Sequence, residues 1–240
     1  MKIVTCKNYE EMSQKAAELI INQVAQKPHS TLGLATGSTP LGLYQELIKA
    51  YQDKKISFKD VSSYNLDEYI GITRSHPQSY YQYMYQNLFK SIDIKDENVH
   101  IPDNDVKKLD QIAKMYNDQL NQAQIDLQIL GIGSNGHIGF NEPGTPLDAE
   151  TFIVTLDQQT RLDNQRFFNS LDEVPQYAIT MGIKNIMKSK KIILLASGVE
   201  KSEAIYKMIH KNVSVDCPAS VLQLHPDVTV IIDEKAASKL

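Results

Sequence analysis

The sequence predicts an α/β fold: a three-layer sandwich with a mostly parallel sheet covered by helices on both faces. Short, almost wholly apolar runs such as Lys191-Ile192-Ile193-Leu194-Leu195-Ala196 and Val228-Thr229-Val230-Ile231-Ile232 recur along the chain. A strand without polar alternation is one buried on both sides. Segments with helical spacing separate these runs, as crossover helices separate parallel strands. With 240 residues, 42% hydrophobic and 22% charged, the chain can bury a large core without staples.

The elements follow in order. Asn8 with Glu11 reads as a capping box opening an amphipathic helix to about Gln26, with Met12, Ala16, Leu19, Ile20 and Val24 on one face. A strand at 31–35 is expected to be the first of the sheet, about thirty residues in. A helix from Pro40 to about Tyr51 follows, with Pro40 at its first position and Thr39 as N-cap. Next come a strand at 61–66, helices at 77–90 and 106–123, and a strand at 126–131. A long polar, proline-bearing segment runs to about 175. The strand at 191–196, a helix from about Glu200 to His210 and the strand at 228–232 close the chain. The charged patch Asp103 to Lys108 reads as a solvated helix start. No repeat, low-complexity tract or Ser/Gly linker interrupts residues 1–240, so a single domain is expected.

Composition excludes several classes. The net charge of −4 leaves no broad basic face for nucleic acid. Cys6 and Cys217 stand far apart without a CxxC, against a disulfide framework or a cysteine-based metal site. The opening MKIVTCKNYEEM has no apolar leader, and no run reaches the roughly 18 apolar residues of a membrane span. A cytoplasmic protein without membrane partners is expected.

Leu130 to Gly144 carries most of the chemistry. It follows a strand and places His137, Glu142, Asn135 and Asn141 in a backbone loosened by Gly131, Gly133, Gly136 and Gly139. Ligands of open α/β sheets sit outside the carboxyl ends of strands, and His137 can exchange a proton near neutral pH. In Thr36-Gly37-Ser38-Thr39-Pro40, backbone N–H groups and hydroxyls meet a helix N-terminus, a cradle for phosphate. It is neither a nucleotide P-loop nor GxGxxG. Lys201 and Arg166 are candidate cations for that cradle. Asp67 and Glu68 end a strand with two adjacent acids; one can face a pocket as a base while the other caps a helix. A metal is not expected, since His137 and Glu142 lack HExxH spacing and no second His or Cys lies near. A serine hydrolase is not expected either, for want of a GxSxG elbow.

Together these blocks resemble the glucosamine-6-phosphate deaminase (isomerising) family. The matching segments are 34–40, 64–69, 76–81, 131–143, Arg161 with Arg166-Phe167-Phe168, and 222–226, nearly the whole chain in order. The resemblance implies that family's three-layer fold and the conversion of D-glucosamine 6-phosphate and water to D-fructose 6-phosphate and ammonia, without a cofactor. It implies that Asp67 moves a proton from carbon 2 to carbon 1 of the open-chain sugar. His137 would assist ring opening, oriented by Glu142 and Asn135. Many family members have aspartate at the Asn135 position; an amide brings no negative charge to the imidazole, which leaves Glu142 alone to supply it. The resemblance places Thr36, Gly37, Ser38, Thr39, Arg166 and Lys201 around the phosphate and a lid at about 143–175.

Larger members of that family are hexamers activated by N-acetylglucosamine 6-phosphate, held between subunits by basic side chains. Here segment 147–155 has no Lys or Arg; Phe152 and Val154 stand in place of two cations, and Asp148 and Glu150 would repel an anion. The chain also stops at Leu240 without an extended tail. A monomer or small homo-oligomer with a small sugar-phosphate partner is expected. The alternatives are a 6-phosphogluconolactonase-like hydrolase, which would not need the acids at 67–68 beside His137 and Glu142, and a sugar-phosphate-sensing regulator, for whose DNA-binding helices an opening of thirty residues leaves no room.

Overall fold

The computed structural model describes residues 1–156, 161–162, 165, 168 and 170–240. Strands β1 (Lys2–Cys6), β2 (Thr31–Leu34), β3 (Ser62–Asn65), β5 (Val99–His100), β6 (Leu127–Leu130), β9 (Ile192–Ala196) and β10 (Val228–Asp233) form one sheet in the order β1-β10-β9-β6-β2-β3-β5. All six pairings are parallel. Every residue of β6 and β9 is buried. Both faces of the sheet centre are therefore covered, as their unalternating apolar sequence requires.

Helices α1 (Tyr9–Gln26) and α2 (Leu41–Gln52) pack on each other, and α1 also lies on β10. Helix α4 (Leu109–Gln122) meets α5 (Ile183–Met187). Asn8 caps α1 as its sequence indicated: its side chain accepts from Glu11 N at 2.9 Å, while the Glu11 carboxylate turns back to Lys7 N at 2.8 Å.

Three features depart from the sequence reading. The sheet begins at β1, not at residue 31: Lys2–Cys6 pairs with β10 along its full length. Its outer residues are exposed, so this edge strand has no apolar run to announce it. Helix α2 begins at Leu41 with Pro40 as N-cap and no side-chain cap from Thr39. The Tyr9 hydroxyl, arriving from α1, instead accepts from Gly42 N at 2.7 Å.

The third departure is a second sheet. Strands β4 (Asp67–Ile70), β8 (Tyr177–Thr180) and β7 (Phe152–Thr155) pair antiparallel in the order β4-β8-β7. The polar segment after Pro143 thus contributes a strand. The join between the sheets is Leu66, whose N–H donates to Leu34 O at 3.1 Å and whose carbonyl accepts from Met181 N at 2.6 Å.

Candidate active site

The carboxyl ends of β9, β6, β2 and β3, neighbours in the parallel sheet, deliver the candidate loops to one edge. In the loop after β2, tyrosines from three helices hold the carbonyls. Tyr44 donates to Ala35 O at 2.5 Å, Tyr83 of α3 (Tyr80–Asn87) to Gly37 O at 2.5 Å, and Tyr9 to Ser38 O at 3.1 Å. With the carbonyls turned back, the N–H groups of Thr36, Gly37, Ser38 and Thr39 have no partner among the described residues. Gly37 (φ 99°) makes the reversal, and the loop runs into the N-terminus of α2. Exposed amides at a positive helix end suit an anion.

Lys201 lies on the turn after β9 (Val199–Lys201). It is half-buried, and that burial lowers its pKa against the raising effect of Glu200. It forms no ion pair among the described residues. The turn is anchored by Asp233 at the end of β10, which accepts from Ser197 Oγ at 2.6 Å and from Gly198 N. Arg166 lies outside the described residues. Arg161 points elsewhere: its guanidinium donates to Leu171 O at 2.9 Å and Val174 O at 3.1 Å, closing its own segment.

The two acids separate as strand geometry requires. Glu68, 1% exposed, accepts from Tyr69 N at 2.8 Å and from Tyr80 N and Tyr81 N at 2.9 Å each, at the start of α3. Burial raises its pKa against those three hydrogen bonds. Asp67 faces the other way and has no hydrogen-bond partner among the described residues. Burial, and after it the Glu68 charge, push Asp67 up to about 8. A carboxyl so placed can hold or release a proton near neutrality.

The loop after β6 brings the remaining candidates together. His137 Nδ1 lies 3.2 Å from the Glu142 carboxylate. Asn135 touches both partners: its Nδ2 donates to Glu142 Oε2 at 2.7 Å, and its Oδ1 accepts from His137 N at 3.1 Å. It therefore orients Glu142 and the backbone of His137, not the ring. Gly133 is required for close approach, since a Cβ there would meet the imidazole at 2.3–2.6 Å. Gly139 (φ 57°) borders Asp67: a Cβ there would lie 3.6 Å from Asp67 Oδ2. The loop carrying His137 and Glu142 and the buried carboxyl of Asp67 are thus neighbours. Asn141 and Thr180, both fully buried beside Gly139, carried no role in the sequence reading. Asn141 was visible only as an amide in the loop, and Thr180 has no local signature.

A cavity of about 490 Å³ adjoins the loop after β2 and is lined by Gly37, Ser38, Tyr69, Tyr80, Tyr83 and Phe168, among others. The Phe168 ring lies 5.7 Å from His76 in a stacked geometry and 6.3 Å from Tyr69 edge-on. Among the described residues, no group of three or more His, Cys, Asp or Glu is arranged to hold a metal.

A family model described as glucosamine-6-phosphate isomerases/6-phosphogluconolactonase matches residues 7–231. The glucosamine-6-phosphate deaminase of Thermoanaerobacter pseudethanolicus is 54% identical over 99% of this chain and 94% of its own. That of Clostridium novyi is 53% identical, with both chains covered in full. A solved structure described as a monomeric glucosamine-6-phosphate deaminase matches with a TM-score of 0.96 at 46% identity, again with both chains covered in full. The 6-phosphogluconolactonase of Trypanosoma brucei matches at a TM-score of 0.83 but 19% identity, covering 100% of this chain and 98% of that one, a likeness of fold alone. By sequence matched over most of its length and by the fold just described, the chain belongs to the glucosamine-6-phosphate isomerase/6-phosphogluconolactonase family.

Proposed function

We propose that this protein converts D-glucosamine 6-phosphate and water to D-fructose 6-phosphate and ammonia. The observation that carries this reading is the buried carboxyl of Asp67, raised to about 8, bordering the glycine loop that holds His137 against Glu142. A hydrolase activating only water needs no such carbon base. Asp67 takes the proton from carbon 2 of the open-chain sugar, giving an enolamine, and returns it to carbon 1. The resulting iminium at carbon 2 adds water, and ammonia leaves. The substrate's own 2-ammonium group, arriving beside Asp67, favours the carboxylate that burial disfavours.

His137 carries a proton between the anomeric hydroxyl and the ring oxygen, opening the sugar, with Glu142 fixing the imidazole and Asn135 fixing Glu142. The amides of residues 36–39, with Lys201 and Arg166, bind the phosphate. Residues 1–240 act as one catalytic unit; a lid over the sugar at about 143–175 is part of this reading, and that segment lies partly outside the described residues. We place the reaction in the breakdown of N-acetylglucosamine in the cytoplasm, carried out by a monomer or small homo-oligomer. No helix among the described residues is long and apolar enough to cross a membrane.

The test is ammonia release from glucosamine 6-phosphate by purified protein. Unphosphorylated glucosamine and N-acetylglucosamine 6-phosphate serve as controls, and 6-phosphogluconolactone tests the rival activity. Release from the first compound alone supports the reading. Lactone hydrolysis without ammonia release overturns it.

A further inference from the structure

Asp67 and His137 reach the site by separate routes. Asp67 opens β4, which is held by its pairing with β8, where Asp67 stands opposite Thr180. His137 arrives on the loop after β6. Among the described residues, no backbone-to-backbone hydrogen bond joins residues 131–145 to β4 or β8. The Phe140 ring packs on Tyr69 of β4, centroids 6.0 Å apart, and two side chains supply hydrogen bonds, at Thr180 of β8 and at Met181 just after it. Thr180 Oγ1 accepts from Phe140 N at 3.1 Å. Asn141 Nδ2 donates to Ile138 O at 2.8 Å and Met181 O at 2.9 Å.

We propose that Thr180 and Asn141 are positioning residues that set the placement of the His137–Glu142 pair relative to Asp67. Both side chains are fully buried, so water does not compete for these bonds. Asn141 meets two carbonyls, which only its NH₂ can satisfy, and this fixes the direction of the amide. Its Oδ1 is then left buried without a partner among the described residues. Such an orphan acceptor costs stability, and a residue needed only for packing would be better replaced by Leu. The three polar groups converge on Gly139: a Cβ there would lie 3.1 Å from Thr180 Oγ1, 3.5 Å from Asn141 Nδ2 and 3.6 Å from Asp67 Oδ2. The two ties therefore act three and four residues from His137, on the side that faces Asp67.

This inference rests on the proposed deaminase reading, and its test separates the two. Thr180→Val keeps the branching and removes the acceptor oxygen. Turnover of glucosamine 6-phosphate is expected to fall on the order of ten- to a hundredfold, because small misplacements of reacting groups cost that much. KM should stay within about twofold, since the phosphate loop is untouched. Amide hydrogen exchange at Phe140, read by NMR, should accelerate by at least about tenfold as its acceptor is lost. Thr180→Ser, which keeps the oxygen, should recover most of the turnover. A folded valine variant with wild-type turnover, or a serine variant no better than valine, overturns the proposal. If the valine variant does not fold, Thr180→Ala removes the same oxygen and is held to the same outcomes. Absence of ammonia release by the wild type would defeat the functional reading instead. The exchange measurement then decides alone: unchanged exchange at Phe140 in the variant overturns the positioning role.

Discussion

Both carboxylate oxygens of Glu142 stand 3.2 Å from His137 Nδ1, while the other ring nitrogen, Nε2, makes no hydrogen bond among the described residues. Glu142→Gln keeps the shape and removes the negative charge beside the imidazole. Turnover is expected to fall about tenfold to a hundredfold. His137→Gln should harm turnover of the cyclic sugar more than proton exchange on an open-chain analogue. Equal damage to both would refute a ring-opening role.

Gly133→Ala is expected to displace the imidazole while the sheet beneath stays folded, since its Cβ would meet the ring at 2.3–2.6 Å. A loss of turnover on the order of a hundredfold with an unchanged circular dichroism spectrum is the expected pair of readings. Wild-type turnover would mean that the ring does not have to lie against this glycine.

Asp67 is expected to tie activity to pH. Its pKa is raised from the ordinary 3.8 to about 8, so the base form is lost as pH falls through that upper value, and kcat/KM should fall with it. The stability sign is opposite. Between the two values the unfolded chain releases a proton that the folded one keeps, so stability drops as pH rises through the window and levels off above it. Asp67→Asn should therefore cost at least about a hundredfold in turnover. It should also melt higher than wild type at pH 8.5, by about 3 °C or more, roughly 1 kcal/mol, with little difference near pH 4. Thermal melts at both values check this; a lower melting temperature at pH 8.5 would contradict a burial cost at Asp67.

Lys201→Met is expected to raise KM for glucosamine 6-phosphate by about tenfold or more, because charge-assisted bonds to phosphate are among the stronger polar contacts. Tyr83→Phe should act the same way more weakly, about two- to fivefold, by freeing the Gly37 carbonyl that its hydroxyl holds. Inhibition by inorganic phosphate is the control. Unchanged inhibition constants in both variants would place the phosphate elsewhere.

Substrate saturation is expected to be hyperbolic, without activation by N-acetylglucosamine 6-phosphate. Segment 147–155 has no cation, and its Glu150 is paired with Lys184 at 2.9 Å. An anionic effector finds no charge complement there, and coupling needs a second site with differential affinity. A sigmoidal curve made hyperbolic by that compound would contradict this expectation.

The sequence by itself determined what depends on neighbours along the chain. Apolar runs located the central parallel strands, Asn8 and Glu11 located the first helix start, and residues 131–144 placed His137, Asn135 and Glu142 within one short loop. Adjacent strand residues point to opposite faces, so the separation of Asp67 from Glu68 was also legible in kind. Which acid faced the site was not, because that depends on where α3 presents the amides of Tyr80 and Tyr81. Tertiary structure alone decided the remaining features. The exposed edge strand β1 and the short strands β4, β7 and β8 are specified by the partners they pair with, not by a strong local pattern. The start of α2 is capped by Tyr9, 33 residues away. The pair that ties the His137 loop to the strands beside Asp67, Thr180 and Asn141, is made by hydrogen bonds across 40 residues. Such contacts leave no periodicity or spacing in the sequence, since the energy that fixes them comes from burying polar groups whose partners only the folded chain brings near.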